Sequence, residues 1–306
     1  MIATRESALA LWQARYVGDL LQKRIPGLDV SLLGMTTEGD RRLEVSLARI
    51  GGKGLFVKEL EQALFDGRAD IAVHSMKDVP MELPAGFHIA AIIAREEPRD
   101  AFVSNRFRDL QSLPAGSVVG TSSLRRQSQI RARHPRLVVK PLRGNVQTRL
   151  RKLDDGEFDA IILAAAGLQR LSLQQRVTVL LEPEESLPAV GQGALGIECR
   201  EDRVELREML ALLEDEETRC CVEAERSLSR ALAGSCNVPL GGYAELIGEK
   251  MRLRGFVATA DGSRLIEDDL TLPFSDSVVQ TIGRDMARRL SERGAREILD
   301  SLELEG

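Results

Sequence analysis

The sequence predicts two α/β domains in succession, with a smaller α+β domain after them. Short runs of Val, Ile, Leu and Ala alternate with helical patterns through the first two-thirds of the chain, which favours mainly parallel sheets. In the last third the strand patterns are grouped together between Gly241 and Leu272, with helical patterns on either side. A chain of 306 residues is long enough for two or three domains that each bury a core.

The first α/β domain begins with a strand at Ile2–Thr4 and a helix over Glu6–Ile25. Apolar residues recur at helical spacing in that helix, and a Pro-Gly pair ends it. The charged, proline-containing segment Arg95–Asp100 predicts a crossing to the next domain. Between them the patterns predict a strand over Asp29–Met35, a helix over Leu55–Asp66, and strands over Asp70–Val73 and Phe87–Ala94.

The second α/β domain repeats this alternation from Ala101 to about Pro183. Its strands are predicted near residues 101–104, 117–120, 137–140 and 159–164. Ser186–Gly193, rich in Pro and Gly, predicts a second crossing. The elements predicted after it are a strand over Ala194–Cys199, helices over Glu201–Thr218 and Val222–Ala233, three strands within Gly241–Leu272, and helices over Ser275–Arg293 and Ala295–Leu302.

The bulk composition narrows the class of protein. Hydrophobic residues make up 43% of the chain and charged residues 29%, which is ordinary for a soluble protein. No apolar run approaches the roughly 18 residues of a membrane span, and the first residues lack the pattern of a secretory signal. Four cysteines without a CxxC spacing, and three histidines, support neither a disulfide framework nor a zinc site. We therefore expect a cytoplasmic protein without a metal.

A basic segment, Gly120–Arg151, is the most unusual feature of the sequence. It carries nine Lys or Arg residues and no Asp or Glu, although the net charge of the whole chain is −5. Such a concentration of positive charge in an acidic chain predicts a polyanionic partner. Base stacking has little support because the segment contains no aromatic residue, so we do not expect a nucleic acid as that partner.

The basic segment contains two successive transitions from a strand to a helix, each with arginines near the start of the helix. Thr121 and Ser123 offer hydroxyl groups before Arg125 and Arg126, and Arg143 and Arg149 repeat the arrangement further on. A helix N-terminus attracts anions, and a guanidinium group binds carboxylate or phosphate in a fixed geometry. These transitions therefore predict two neighbouring anion sites.

Two residues outside the basic segment are candidates for chemistry. Asp78 follows a predicted strand and lies next to Lys77. A carboxylate at the end of a strand can stabilise a bound cation and move protons. Alternatively, Asp78 can cap a turn before Pro80. Cys236 lies in a predicted loop. There its thiol could be a nucleophile or an attachment point, or Cys236 could be an inert small residue. The Gly51–Gly54 loop lacks the spacing of a phosphate-binding P-loop and predicts instead a lid that presents Lys53.

The sequence resembles the porphobilinogen deaminase family, also called hydroxymethylbilane synthases. The motifs occur in the family's order, from Ala3 to beyond Pro239. The matching segments are Ala3–Ser7 (ATRES), Gly51–Leu60 (GGKGLFVKEL), His74–Pro80 (HSMKDVP), Asp100–Val103 (DAFV), Gly120–Gln127 (GTSSLRRQ), Leu142–Leu150 (LRGNVQTRL), Leu187–Gly193 (LPAVGQG) and Gly234–Pro239 (GSCNVP).

The resemblance implies a transferase that condenses four porphobilinogen molecules head to tail, with release of ammonia, on a dipyrromethane cofactor bound to a cysteine through a thioether. The matching positions are Asp78 for catalysis and Cys236 for the cofactor. The other implied cofactor ligands are Lys77, Asp78, Thr121, Ser123, Arg125, Arg126 and Arg143. The implied substrate ligands are Arg5, Ser7, Lys53, Phe56, Arg143, Arg149 and Arg170.

The resemblance also implies a domain division. We expect two α/β domains like those of periplasmic binding proteins plus a smaller C-terminal α+β domain that carries the cofactor cysteine. Their bounds are expected at 1–94 with 194–213, at 100–187 and at 216–306, with hinges near 94–99 and 188–193. We expect a monomer whose partner is the small substrate. The alternative function is a non-catalytic polycarboxylate-binding protein of periplasmic-binding-protein type, which would not need Asp78 or Cys236.

Overall fold

The computed structural model describes residues 1–37, 57–232 and 238–304. Three residues predicted for the site, Lys53, Phe56 and Cys236, lie outside the described residues. The strands are β1 Ile2–Arg5, β2 Leu32–Met35, β3 Ile71–Ser75, β4 Phe87–Ile93, β5 Asp100–Val103, β6 Val118–Gly120, β7 Val138–Lys140, β8 Ala160–Ala164, β9 Val179–Leu181, β10 Leu195–Arg200, β11 Leu240–Ile247, β12 Lys250–Ala258 and β13 Leu265–Pro273. The helices are α1 Ala8–Arg24, α2 Lys58–Phe65, α3 Leu124–Arg133, α4 Val146–Asp154, α5 Ala165–Arg170, α6 Val204–Ala211, α7 Glu216–Leu232, α8 Asp276–Glu292 and α9 Ala295–Leu304.

The first sheet has the strand order β2-β1-β3-β10-β4. Strands β1, β2 and β3 are parallel, whereas β10 runs antiparallel between β3 and β4. Helix α1 begins where Ser7 accepts a hydrogen bond from the backbone of Ala10, and its buried face packs on this sheet with residues such as Val17 and Leu21. Strand β10 thus closes a sheet whose other strands were formed about 100 residues earlier in the chain.

The second sheet repeats this topology with the order β7-β6-β8-β5-β9. Its antiparallel strand is β5, which directly follows the first crossing. In the same way, β10 of the first sheet directly follows the second crossing. The two sheets therefore have the same order, each with one reversed strand next to a crossing segment. The smaller third sheet is an antiparallel meander, β11-β12-β13, covered by α7 and α8. The predicted architecture of two α/β domains and a smaller C-terminal α+β domain is confirmed.

Two predictions of local structure were inaccurate. The acidic segment Glu201–Thr218 is not one helix, because α6 ends at Ala211 and α7 begins at Glu216. The Asp215 side chain accepts a hydrogen bond from the backbone of Thr218 at 2.9 Å and so starts the second helix. The short strand β9 was not predicted, since three apolar residues carry too weak a pattern. No helix in the described part of the chain is long and apolar enough to cross a membrane.

Candidate active site

Asp78 lies at the carboxyl end of the first sheet. Strand β3 ends at Ser75, and a single 3₁₀ turn, Met76–Asp78, places the Asp78 side chain in an exposed position. Asp78 lines a cavity of about 70 Å³ together with Arg5 and Ser7, so the structure brings these three predicted residues together. Ser7 is partly occupied by its role as the cap of α1, with a hydrogen bond of 3.3 Å from the backbone of Ala10.

Lys77, beside Asp78, is in an environment that disfavours its charge. Burial lowers its pKa to about 8; the neighbouring Asp78 opposes this shift, and the guanidinium group of Arg126 adds to it. A lysine with such a pKa is still mostly protonated at neutral pH and gains from any carboxylate that binds beside it. Lys77 is therefore a strong candidate ligand for an anion held next to Asp78.

Arg149, in helix α4 of the second α/β domain, is also in an environment that disfavours its charge. Burial lowers its pKa to about 10, and repulsion from Arg126 and Arg143 contributes further, while Asp78 opposes the shift. Its side chain donates one hydrogen bond, from Nε to the Gly144 carbonyl at 2.7 Å. Arg149 is therefore close enough to interact both with Arg126 and Arg143 of its own domain and with Asp78 of the first domain.

The loop that carries Arg143 has a geometry that brings the backbone close to helix α4. Gly144 has a φ of +110°, and a Cβ atom at this position would lie 2.7 Å from the Thr148 side chain, so only glycine fits. Asn145 then caps α4 by accepting a hydrogen bond from the backbone of Thr148 at 2.9 Å. Within the described residues, the Arg143 guanidinium group makes no hydrogen bond or ion pair, so it is available to a ligand.

The first strand-to-helix transition is built as the sequence predicts. The backbone N–H of Ser123 donates to the Thr121 hydroxyl at 3.3 Å, and α3 begins at Leu124 without a side-chain cap. Ser122 joins this loop to the second transition, because its hydroxyl donates to the Leu142 carbonyl and accepts from the Leu142 N–H. The two predicted anion sites are therefore neighbours, and the N–H groups at the start of α3 have no side-chain partner.

Arg125 and Arg126 are placed differently from what their sequence positions suggest. Both are buried, with exposures of 5% and 6%, and both bind Asp100, which is completely buried. The Nη2 atom of Arg125 lies 2.8 Å from Asp100 Oδ2, and Nη2 of Arg126 lies 2.7 Å from Oδ1. Ser186 and Gln192 add hydrogen bonds of 2.7 and 2.9 Å to the same carboxylate.

Asp100 is thus the shared internal counter-ion of both arginines, although the sequence marks it only as part of the DAFV motif. Burial would raise the pKa of its carboxyl group, but the charges of the two arginines outweigh this and hold the pKa well below its usual range. Arg125 is fully held inside the protein, since it also donates to the Leu187 carbonyl. Arg126 is also fixed, and its charge still reaches Lys77 and Arg149.

Arg170 ends helix α5 and lies over the ring of Trp12, with its guanidinium carbon 6.0 Å from the ring centroid. It donates to the carbonyl of Gly193 at 2.6 Å, and burial lowers its pKa to about 10. Its Nε atom is buried without a hydrogen-bond partner, which leaves one donor unsatisfied. Arg170 therefore contacts the second crossing and the first domain together.

Comparison of the sequence with known proteins identifies the family of this chain. A family model described as the dipyromethane cofactor binding domain of porphobilinogen deaminase matches residues 1–208, and the model of the C-terminal domain matches residues 219–291. A porphobilinogen deaminase of Nitrosomonas europaea is 63% identical over 303 residues, covering 99% of this chain and 97% of the relative. This chain belongs to the porphobilinogen deaminase family.

Further relatives extend the comparison. A porphobilinogen deaminase of Laribacter hongkongensis is 57% identical over 306 residues, covering 100% of this chain and 99% of the relative. Among solved structures, the methionine-binding protein MetQ aligns with 71% of this chain and 91% of its own, at 14% identity and a TM-score of 0.45.

A second buried network of this porphobilinogen deaminase family member lies directly behind the cavity at Asp78. His74 lines that cavity, and its Nε2 atom lies 2.7 Å from Oε2 of Glu198, which is completely buried. Glu61, from α2, is 8% exposed, and burial together with the charge of Glu198 raises its pKa to about 7. One oxygen of each carboxyl group, Glu61 Oε1 and Glu198 Oε1, is buried without a hydrogen-bond partner. No group of His, Cys, Asp and Glu in the described part of the chain is arranged to hold a metal ion.

The crossings of this family member are fastened to the C-terminal domain by one carboxylate. Glu225, buried in α7, accepts hydrogen bonds from Arg95 of the first crossing at 2.6 Å and from the Gly191 N–H of the second crossing at 2.6 Å. It also accepts from the Ala244 N–H of β11 at 2.9 Å. A single side chain therefore joins both connections between the α/β domains to the third domain.

Proposed function

We propose that this protein condenses four molecules of porphobilinogen head to tail, with release of ammonia, into the linear tetrapyrrole hydroxymethylbilane. The observation that carries the proposal is the exposed carboxylate of Asp78 among the positive charges of Lys77, Arg126 and Arg149. The membership of the family and the named relatives support the same activity.

The substrate and its products are polyanions, since each porphobilinogen ring carries an acetate and a propionate group. Arg143 and Arg149 are suited to hold these groups, because a guanidinium group can form two parallel hydrogen bonds with a carboxylate. Burial, together with repulsion from Arg126 and Arg143, lowers the pKa of Arg149, and a carboxylate bound beside it would oppose that shift. The N–H groups at the start of α3 can donate hydrogen bonds to a further carboxylate oxygen.

Asp78 would act where positive charge develops. When ammonia leaves the substrate, the ring and its nitrogen become electron-poor, and a nearby carboxylate stabilises that charge. Asp78 is exposed to the cavity and lies on a rigid turn at the end of β3, which fixes its carboxylate relative to the bound ring. Too many carboxylates here would trap the cation, so one Asp among several cations suits the task.

The residues around Asp78 also fit the family's dipyrromethane cofactor, whose two rings carry four carboxylates. Lys77 and Arg143 would hold its acid groups, together with the hydroxyl groups of Thr121 and Ser123, and the internally bound Arg126 would add its positive charge nearby. When bound, the cofactor supplies the terminal ring carbon to which the first substrate unit is joined. The fit is supported by Lys77 and Arg149, which are buried beside other positive charges. A permanently bound polyanion would supply the missing negative charge.

We propose Cys236 as the attachment point of the cofactor. The three cysteines within the described residues, Cys199, Cys220 and Cys221, are buried, and burial raises the pKa of each thiol, for Cys221 to about 12. Such thiols are poor nucleophiles because the reactive thiolate is hardly populated. These properties support Cys236, which lies outside the described residues, as the reactive cysteine.

We further propose that the segments 94–99 and 188–193 are hinges between an α/β domain of residues 1–94 with 194–213 and a second one of residues 100–187. Arg143 and Arg149 come from the second α/β domain and Asp78 from the first, so a small rotation about the two crossings would change the space between them. Such a rotation would let the site accommodate a product that grows by one ring at each step.

The test of the function is the intact mass of the purified protein before and after Cys236→Ala. An excess mass of two linked pyrrole units, absent from the variant, is expected. If the bare polypeptide mass persists after incubation with porphobilinogen, the proposed chemistry is wrong. In a separate assay of product formation, Asp78→Asn should lower the turnover by at least about a hundredfold, while Glu157→Asn, an exposed site elsewhere, should leave it unchanged.

The alternative, a non-catalytic polycarboxylate-binding protein, would bind the same carboxylates through the arginines. It would retain its affinity in Asp78→Asn and would show no covalent pyrrole at any cysteine. Family membership favours the enzyme.

A further inference from the structure

A second, larger cavity lies between the first α/β domain and the C-terminal domain. Its volume is about 830 Å³, which falls in the range of sites for small organic ligands. It shares no lining residue with the cavity at Asp78. One wall is the edge strand β4 and the segment after Asp78, and the other is formed by α7 and α8.

The floor of this cleft is apolar. Met76, Met81, Leu83, Ile89 and Ile92 line it, and these side chains come from the first domain. A flat, apolar ring can cover such a floor and remove it from water, which is the main source of affinity for an organic ligand.

The opposite wall carries an excess of positive charge. Residues 219, 223, 226 and 230 of α7 lie on one face of the helix, three or four positions apart. Both acidic residues that line the cleft, Glu214 and Glu223, are bound to Arg219, at 3.3 and 2.9 Å. Arg219 offsets only one of these two negative charges, but the four arginines that line the cleft still outnumber its two carboxylates.

Arg230 of α7 and Arg284 of α8 therefore face the cleft without a counter-charge. Neither makes a hydrogen bond or an ion pair with any of the described residues, and both are exposed. Like charges on facing surfaces disfavour each other unless an anion lies between them. The combination of an apolar floor and two unpaired guanidinium groups selects for an anion with an apolar body.

We propose that this cleft binds an aromatic polycarboxylate, with its ring on the apolar floor and its carboxylates on Arg230 and Arg284. The proposal concerns a site separate from that of the proposed function and does not depend on it. The same chemistry is offered by a single carboxylated ring and by a chain of such rings, and the experiment below distinguishes them.

The cleft is connected to Asp78 through the chain segment that carries this residue. Arg226, in the wall of the cleft, donates hydrogen bonds to the carbonyl oxygens of Val79 at 3.2 Å and Met81 at 3.1 Å, and also to that of Pro80. These residues directly follow Asp78, and Met76 in the floor lies two positions before it. The segment 76–81 therefore contacts the cleft on one side and carries Asp78 on the other.

The test is a calorimetric titration of the purified holoprotein with two unreactive probes. Pyromellitate presents one benzene ring with four carboxylates, and a porphyrin octacarboxylate presents four pyrrole rings. Two binding events are expected in the parent protein, one at the Asp78 site and one in the cleft. The double variant Arg230→Ala/Arg284→Ala should lose the second event, with an affinity lower by about tenfold for each arginine.

Two further variants assign the events. Arg149→Ala should remove only the event at the Asp78 site, and Arg24→Ala, an exposed arginine outside the cleft, should retain both. The proposal is overturned if the double variant binds as the parent does, or if the parent shows only the event that Arg149→Ala removes. If pyromellitate binds more tightly, the ligand is a single carboxylated ring. If the porphyrin binds more tightly, the ligand consists of several linked rings. Because binding is measured directly, the outcome does not depend on whether the enzyme turns over porphobilinogen.

Discussion

Glu61→Gln tests the buried network behind Asp78. Burial and the neighbouring charge of Glu198 raise the pKa of Glu61 from 4.5 to about 7, although His74 and Lys58 oppose the shift. The folded protein therefore holds the Glu61 proton more tightly than the unfolded chain does. The stability that this proton confers is fully present below pH 4.5 and is lost as the pH rises to about 7.

The size of this loss follows from the two pKa values. A difference of about 2.5 units corresponds to about 3 kcal/mol at a pH above both of them. Glutamine has nearly the shape of protonated glutamate and cannot lose its proton, so the variant avoids the penalty. We expect Glu61→Gln to be about 2–3 kcal/mol more stable relative to the parent at pH 8 than at pH 5.

The assay is urea unfolding between pH 5 and pH 8, followed by the fluorescence of the single tryptophan, Trp12. Trp12 lies in α1 of the first domain, which is the domain that contains Glu61. Glu157→Gln, at an exposed loop position, serves as the control and should follow the parent at every pH. Identical pH dependences for the parent and Glu61→Gln would refute the reasoning, since the carboxyl group would then titrate alike in both states.

Three other substitutions test buried contacts, one within the second α/β domain, one at the crossings and one within the C-terminal domain. Asp100→Asn leaves two buried arginines without a carboxylate and should cost about 3 kcal/mol or more, seen as a lower melting temperature; an unchanged value would contradict the network. Glu225→Gln removes the charge partner of Arg95 and should make both crossings susceptible to limited proteolysis, and a parent-like digestion pattern would count against it. Gly283→Ala would place a Cβ atom 2.5 Å from the Leu228 backbone nitrogen, so α7 and α8 must separate; we expect about 1–3 kcal/mol of destabilisation in urea unfolding, and parent-like stability would contradict the close packing.

Much of the fold was predictable because its signals are local. Helical spacing in α1, the grouped strand patterns of the third sheet and the glycine and proline residues of the crossings are all readable over short stretches. The Arg-rich starts of α3 and α4 were predictable for the same reason, since a strand, a residue with a hydroxyl or amide side chain and an arginine follow one another within a few positions.

The partners of the buried charges could not be predicted. Asp100 binds arginines 25 and 26 positions away, His74 binds Glu198 across 124 positions, and Arg95 binds Glu225 across 130. No local pattern encodes such a pair, because it depends on the order of strands in each sheet. The charged motif residues therefore suggested ligand binding, but nothing in the sequence indicated that Arg125 and Arg126 share Asp100 as an internal partner.

The position of β10 has a consequence for how the protein is made on the ribosome. The second sheet consists of residues 100–181 and is complete once that stretch has left the exit tunnel. The first sheet lacks its strand between β3 and β4 until residues 195–200 emerge, although its other strands were synthesised long before. The middle of the polypeptide can thus finish folding before its beginning, and the nascent N-terminal third must wait with the edges of β3 and β4 unpaired. A ribosome stalled just after the second domain should accordingly display a protease-resistant middle and a sensitive N-terminal segment.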